Sequence, residues 1–254
     1  MRTRTGTGTG DPPVSSAAPW NRAPRPTVPQ RVLQCFLALS LPVLWLALAV
    51  RLVATPVFLW LEYHRPGFPA DRWGMDVEER TTFGSYGLDY IMNLAPPEYL
   101  GGLVSPEGGL AFTPSEVSHM TDVRHVLQWG LLAATALLVL SALAGWYLHR
   151  TAPGAASRAW FAGSWLTVGL LVAAAVSALL GWEQFFTAFH GLFFSSGTWT
   201  FSTTDTLIRL YPAQFWVDAA LTVALLTLAG AFLTMLLTSR RARRLRDRRL
   251  RSRS

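Results

Sequence analysis

The sequence contains no lysine, a single cysteine, and few charges of any kind: 15% of its 254 residues are charged against 51% hydrophobic. So low a charged fraction excludes an ordinary water-soluble domain of this length. The lone Cys35 excludes an intramolecular disulfide. It lies near the start of the first apolar run, away from the segments that carry the acids and imidazoles, so it is not expected to serve as a nucleophile there. No Gly-x-Ser-x-Gly elbow, no His-Glu-x-x-His and no Cys-x-x-Cys occurs. These absences remove the commonest signatures of serine hydrolases, zinc peptidases and structural zinc sites. No apolar run carries a pair of ionisable groups and no inverted repeat is apparent, which argues against a transporter.

What remains is apolar length. A bilayer core about 30 Å thick takes roughly 20 apolar residues in helical form, because backbone polar groups must be satisfied internally in lipid. Four stretches qualify, at about 32–53, 125–148, 159–181 and 214–238. The first contains Pro42, a candidate kink, and runs on into an amphipathic piece from Leu52 to Leu61. The expected fold class is all-α: a polytopic membrane protein of about four transmembrane helices, with an extracytoplasmic cap and an interfacial helical segment. Its parts are a disordered cytoplasmic segment 1–31, a membrane domain 32–238 with outer segments 63–123 and 182–213, and a basic cytoplasmic tail 239–254.

All 22 basic residues are arginine, and they are clustered. Five lie before the first span, Arg150 and Arg158 flank the link between the second and third, and nine fall between Arg240 and Arg253. Residues 63–123 instead hold nine acids against three arginines. The positive-inside rule therefore predicts both termini and the 149–158 link in the cytoplasm, with the first span an uncleaved signal anchor. A basic tail that follows a span directly reads as contact with anionic membrane lipids, not as a nucleic-acid site.

The polar residues that can carry chemistry gather on the outer side. Thr113-Pro114-Ser115-Glu116 reads as a capping box with Pro at the first helical position. The helix it begins places Glu116, His119 and Asp122 on one stripe, with His125 three residues further on. The second outer segment is dense in aromatics, from Phe185 to Phe194 and then Trp199 and Phe201, with His190 its only imidazole. Such a stretch settles in the membrane interface. The link between the second and third spans is short enough to make them antiparallel neighbours, which would bring His119 and His190 to similar depth. Either histidine can equally be a headgroup contact, and a carboxylate beside it a satisfied helix cap. Arg51, at the outer end of the first span, either snorkels or holds a carboxylate or anionic group.

His119-Met120-Thr121-Asp122-Val123, Phe189-His190-Gly191-Leu192-Phe193-Phe194 with Trp199-Thr200-Phe201, and Leu207 to Pro212 with Phe215-Trp216 carry a resemblance. The chain resembles the bacterial four-span membrane family that includes the lipoprotein intramolecular transacylases, over about residues 32–238. The resemblance implies an acyltransferase of the outer face. Its reaction moves the sn-2 acyl chain of a diacylglyceryl-modified lipoprotein onto the α-amino group of that lipoprotein's N-terminal cysteine, giving the lyso-form. It implies His119 and His190 as the functional histidines. No cofactor or metal is called for.

Histidine suits the task, since its unperturbed pKa of about 6.5 lets it take a proton from an attacking amine near neutral pH. The expected assignment is His119 as base, oriented by Asp122 or Glu116, and His190 as acid, with nothing in the spacing to prevent the reverse. Phe193, Phe194 and Trp199 are expected to line the acyl and glyceryl pocket, and Arg51 to hold a substrate carbonyl or the developing oxyanion. Two rival readings stay open at this stage. One is zinc hydrolysis through His119, Asp122, His190 and His64; the other is a non-enzymatic lipid sensor, assembly factor or partner subunit.

Overall fold

Helix-start signals recur along this chain, and those at Thr55, Asp76 and Thr113 are met by side-chain hydrogen bonds. The computed structural model describes the backbone of residues 26–251 and the side chains of 26–239. The segment expected to be disordered therefore lies, for residues 1–25, outside the described residues, as do the side chains of the arginine-rich tail. Thr27 opens α1 (Val28–Val53), its N–H donating to the Gln30 side chain. Thr55, followed by Pro56, opens α2 (Pro56–His64). Asp76 and Glu79 form a reciprocal capping box at α3 (Val77–Met92). A one-turn α4 (Glu98–Gly101) and a narrow turn closed by a Val104–Leu110 bridge lead to Thr113, which caps α5 (Pro114–Thr151). After α6 (Ala155–Leu180) come α7 (Trp182–Phe193), the short α8 (Thr206–Leu210) and α9 (Ala213–Arg251).

Four of these helices are long and apolar enough to cross a membrane: α1, α5, α6 and the Ala213–Ser239 part of α9. Leucines and valines cover their outward faces, as a lipid environment requires. α5, with 38 residues, is ~57 Å long at 1.5 Å per residue, well beyond an ~30 Å core. Its first three turns, which carry Glu116, Asp122 and Arg124, stand clear of the apolar stretch that follows.

The order of packing differs from the simplest expectation. α1 is the central span, in contact with α5, α6 and α9, while α5 and α6 touch only briefly near the turn that joins them. Small residues permit the close approaches. A Cβ on Gly163 of α6 would lie 2.7 Å from the Ala38 carbonyl of α1. That carbonyl is the one that Pro42, four residues on and lacking an N–H, leaves without an intrahelical donor. α1 nevertheless continues unbroken through Pro42. On its other side Trp45 lies flat against Gly230 of α9 and donates from Nε1 to Thr234 Oγ1 at 3.1 Å. Ser40 and Ser141 hydrogen-bond at 3.0 Å between α1 and α5.

The remaining helices build a cap on the end where α5 and α9 begin. Its core is Phe83, Tyr90, Leu100, Phe112, Met120, Leu207 and Leu210, all buried. Arg124 of α5 donates to the Ala95 carbonyl and lies 4.7 Å over the Tyr90 ring, while Gln128 donates to the Ile91 and Asn93 carbonyls. These contacts satisfy the open C-terminus of α3, and the guanidinium favours the negative end of that helix.

The span packing is testable at two glycines of α6. Gly163→Val is expected to cost about 1–3 kcal/mol by forcing α1 away. Gly169→Ala, where an added Cβ meets nothing within 4 Å, is expected to be neutral or stabilising by less than about 1 kcal/mol. Thermal unfolding of the detergent-solubilised protein separates the two outcomes.

Candidate active site

α7 is sided in a way its composition does not announce. Phe186, His190 and Phe194 follow one another at intervals of four and turn inward, whereas Phe189, Leu192 and Phe193 are exposed at 48%, 78% and 49%. His190 is buried at 8% exposure, and so is His119 on α5 at 9%. The Phe194 ring joins them, with centroids 5.0 Å from His119 and 5.8 Å from His190. Phe201 lies 5.5 Å from His119, while Trp199 and Phe186 lie 4.8 Å and 4.0 Å from His190. Two imidazoles from distant parts of the chain thus share one aromatic pocket, where the first three turns of α5 meet α7.

Hydrogen bonding distinguishes the two rings. His190 Nδ1 is 2.9 Å from the Phe186 carbonyl oxygen. A carbonyl only accepts, so Nδ1 carries the proton, and in the neutral ring Nε2 presents its lone pair. His119 Nδ1 is buried with no hydrogen-bond partner among the described residues, and so is the indole Nε1 of Trp199. Burial holds the His119 imidazole below its usual pKa, reinforced by nearby His190 and opposed by Asp122. Burial also lowers His190, against the Phe186 carbonyl. Both rings therefore favour the uncharged form that can accept a proton.

Other expected site residues take different positions. Asp122, one turn beyond His119, is exposed and makes no hydrogen bond to it; it acts on that ring only through its field. Glu116 has both oxygens engaged away from His119. It is 1% exposed, and its Oε2 accepts from the Thr113 N–H at 2.7 Å and the Thr113 hydroxyl at 2.9 Å. Its Oε1 accepts from the Leu207 N–H at 2.7 Å, tying α5 to α8. Arg51 is exposed and donates to the Ala54 carbonyl just past its own helix. Phe193 faces outward, while Phe194 and Trp199 line the pocket. His64 stacks on Trp60 and accompanies neither site histidine. Among the described residues, no three His, Cys, Asp or Glu side chains are grouped to hold a metal ion.

The sequence reading missed the ion pairs that brace this end. Arg209 donates to Asp71 at 2.9 Å through Nη2, and the same carboxylate accepts from the N–H groups of Trp73 and Met75. Arg65 bridges Glu62 and Asp218, linking α2 to α9. The one available signal was an arginine set among Leu207, Ile208, Leu210 and Tyr211, which in apolar surroundings demands a partner.

The model of one family, described as lipoprotein intramolecular transacylase Lit, matches residues 35–216. The chain belongs to this family. It is also similar to a protein of Aquifex aeolicus (strain VF5) described as uncharacterized, 31% identical over 206 residues that span 81% of this chain and 93% of that one. Among solved structures it resembles the membrane integral lipoprotein intramolecular transacylase Lit from Bacillus cereus. The TM-score is 0.64 at 21% identity, over 85% of this chain and 97% of that one. A structure of that protein with a histidine replaced by alanine matches at TM-score 0.58, with 21% identity over 85% and 95% of the two chains. At these identities the likeness shows the fold, a multi-pass bundle. Membership in the Lit family makes the chain a transacylase, and it decides against the non-enzymatic reading.

The Glu116 tether gives a prediction. Glu116→Ala leaves the Leu207 and Thr113 N–H groups unsatisfied and is expected to cost about 2–3 kcal/mol of stability. Glu116→Gln, which keeps one accepting oxygen, is expected to cost roughly half of that. Thermal unfolding of the purified variants would show equal losses if the carboxylate did not matter.

Proposed function

We propose that this transacylase moves the sn-2 acyl chain of a diacylglyceryl lipoprotein to the α-amino group of the same molecule's N-terminal cysteine, with His119 and His190 as the reacting pair. The observation that carries the reading is the aromatic pocket in which Phe194 touches both imidazoles. An α-amino group titrates near 7.7–8.0, so a modest base suffices to keep it nucleophilic. His190 is that base, which exchanges the roles expected from spacing alone. Its Nε2 lone pair takes the proton from the attacking nitrogen, and the Phe186 carbonyl steadies the imidazolium through Nδ1. A nitrogen–carbon bond forms, the carbon–oxygen bond to the sn-2 position breaks, and the proton taken up by His190 passes to neutral His119 and from it to that oxygen. A single proton thus goes from the neutral amine to the alcohol, so both imidazoles end the cycle as they began. Nucleophile and ester belong to one molecule, so holding them at near-attack distance removes much of the entropic barrier.

Asp122 tunes His119 through space, and Glu116 positions it by fixing the first turn of α5. Phe193 and Phe189 face the lipid and guide the acyl chain, while Phe194 and Trp199 hold the glyceryl end. The helix directions support a site on the outer face. α5 and α9 begin at the pocket, whereas Arg150 and Arg158 lie at the opposite end of the bundle, the end that the positive-inside rule puts in the cytoplasm.

The test is mass spectrometry of a lipoprotein's N-terminal tryptic peptide from a bacterium lacking its own N-acylating enzyme. Wild type is expected to yield one O-linked and one N-linked chain. His119→Ala and His190→Ala are each expected to lose the product by about 10²-fold or more. A peptide that keeps both chains on oxygen, from a well-inserted wild type, would sink the reading.

The pH profile gives a second check. A base whose pKa is depressed stays neutral to lower pH, so the acid limb of the transfer rate should lie below the ordinary imidazole value of about 6.5. The same sign applies to stability: the contribution of these rings is full above that value and is lost as pH falls through the lowered one. The substrate amine adds its own limb near 7.7–8.0, so the check is a second break below about 6.5, and a profile without that break would contradict the assignment.

A further inference from the structure

The proposed transfer passes through a tetrahedral intermediate whose oxygen carries negative charge, and neither imidazole can serve that oxygen while handling the proton. Arg51, the cation expected there, is exposed and donates to the Ala54 carbonyl just past its own helix. A donor has to come from elsewhere in the pocket.

Trp199 offers one. Its ring lies 4.8 Å from His190, tilted by 34°, and 6.3 Å from Phe186. Its Nε1 is shut off from solvent and has no hydrogen-bond partner among the described residues. An indole N–H can only donate, and burial without an acceptor is a penalty that native structures rarely carry unrelieved. Three buried or half-buried tyrosines of this end are paired, and the other unpaired ring nitrogen there, His119 Nδ1, lies in the same pocket. The Tyr63 hydroxyl donates to the Leu210 carbonyl at 2.9 Å, the Tyr211 hydroxyl to the Gly84 carbonyl at 2.7 Å, and Tyr90 shares a hydrogen bond with Thr121. The unpaired indole is thus confined to the pocket that holds the two histidines, beside the one whose Nε2 accepts the proton.

From this geometry we infer that the Trp199 indole N–H is the oxyanion donor of the site, donating to the carbonyl oxygen of the sn-2 ester. The inference rests on the transacylase reading and adds to it a role that packing alone does not require. The ester carbonyl is purely an acceptor, so the pairing is complementary. Charge builds on that oxygen as nitrogen attacks, and the fixed N–H dipole gains strength with it at no cost in reorganisation. The N–H is not transferred: the donor returns unchanged when the sn-2 oxygen leaves.

The test compares wild type with Trp199→Phe on two diacylglyceryl lipopeptides, one with the natural sn-2 ester and one with a thionoester whose C=S accepts hydrogen bonds poorly. On the ester, the variant is expected to transfer about 10²-fold more slowly with little change in half-saturation. The thionoester should slow wild type markedly and the variant much less, because the two changes remove the same hydrogen bond. Equal sulfur effects in both enzymes, or an unslowed variant, would overturn the inference while leaving the transacylase reading intact.

A measurement independent of turnover uses a lipopeptide with an sn-2 amide, together with ¹⁵N-indole labelling. The resonance missing from Trp199→Phe identifies the residue, and on binding the analogue it should move downfield as its N–H gains an acceptor. An analogue that binds without moving that resonance overturns the inference, whether or not the variant folds. If wild type binds the analogue and transfers nothing from the ester, the transacylase reading fails, and the resonance alone decides the donor.

Discussion

One buried carboxylate fixes the geometry at the functional end of this molecule. Glu116 stands three residues after the cap of α5, where a capping box needs an acceptor for the Thr113 N–H. Only one of its oxygens serves that purpose. The other reaches across to the Leu207 N–H, 91 residues away, at the start of the segment that leads into the last span. Three residues beyond Glu116 comes His119, and a few residues before Leu207 come Trp199 and Phe201. A side chain that begins as a local cap therefore sets the distance between two walls of the pocket.

Around this tether the cap keeps several charges away from water, and each has compensation. Asp71 accepts from Arg209 and from two backbone N–H groups, and Arg65 lies between Glu62 and Asp218. Arg80, 3% exposed, donates to the Pro69 carbonyl and lies near the faces of Tyr63 and Phe68, at 5.2 Å and 4.9 Å from the ring centroids. A planar, weakly hydrated guanidinium suits such stacked positions better than an ammonium. The absence of lysine thus has a structural counterpart in the cap. Inside the bundle the solution differs: small residues and hydroxyls bring α1 close to its neighbours, and the Ala38 carbonyl exposed by Pro42 lies against Gly163 instead of lipid.

Much of the architecture was legible before any coordinates. Apolar length marked the four spans, because lipid leaves a backbone little choice but a helix. The Thr-Pro-Ser-Glu cap marked the start of α5 ahead of its span, and the aromatic stretch marked α7. The first helix begins at Val28, a turn ahead of the apolar run, because Thr27 and Gln30 cap it there. The expectation that the second and third spans pack side by side did not hold along their length, since a short link fixes the contact of helix ends but not which third helix lies between them.

By itself, the sequence determined that the chain is an all-helical membrane protein and that two histidines accompany a dense aromatic segment, since composition and period are local properties written residue by residue. Only the tertiary structure decided what each side chain faces. It tied Glu116 to Leu207 as well as to Thr113, gave Arg51 an acceptor in the Ala54 carbonyl, and left Asp122 exposed. It also placed a proton on His190 Nδ1 and left the Trp199 N–H unpaired. Those outcomes depend on contacts between residues tens of positions apart, which no spacing along the chain encodes.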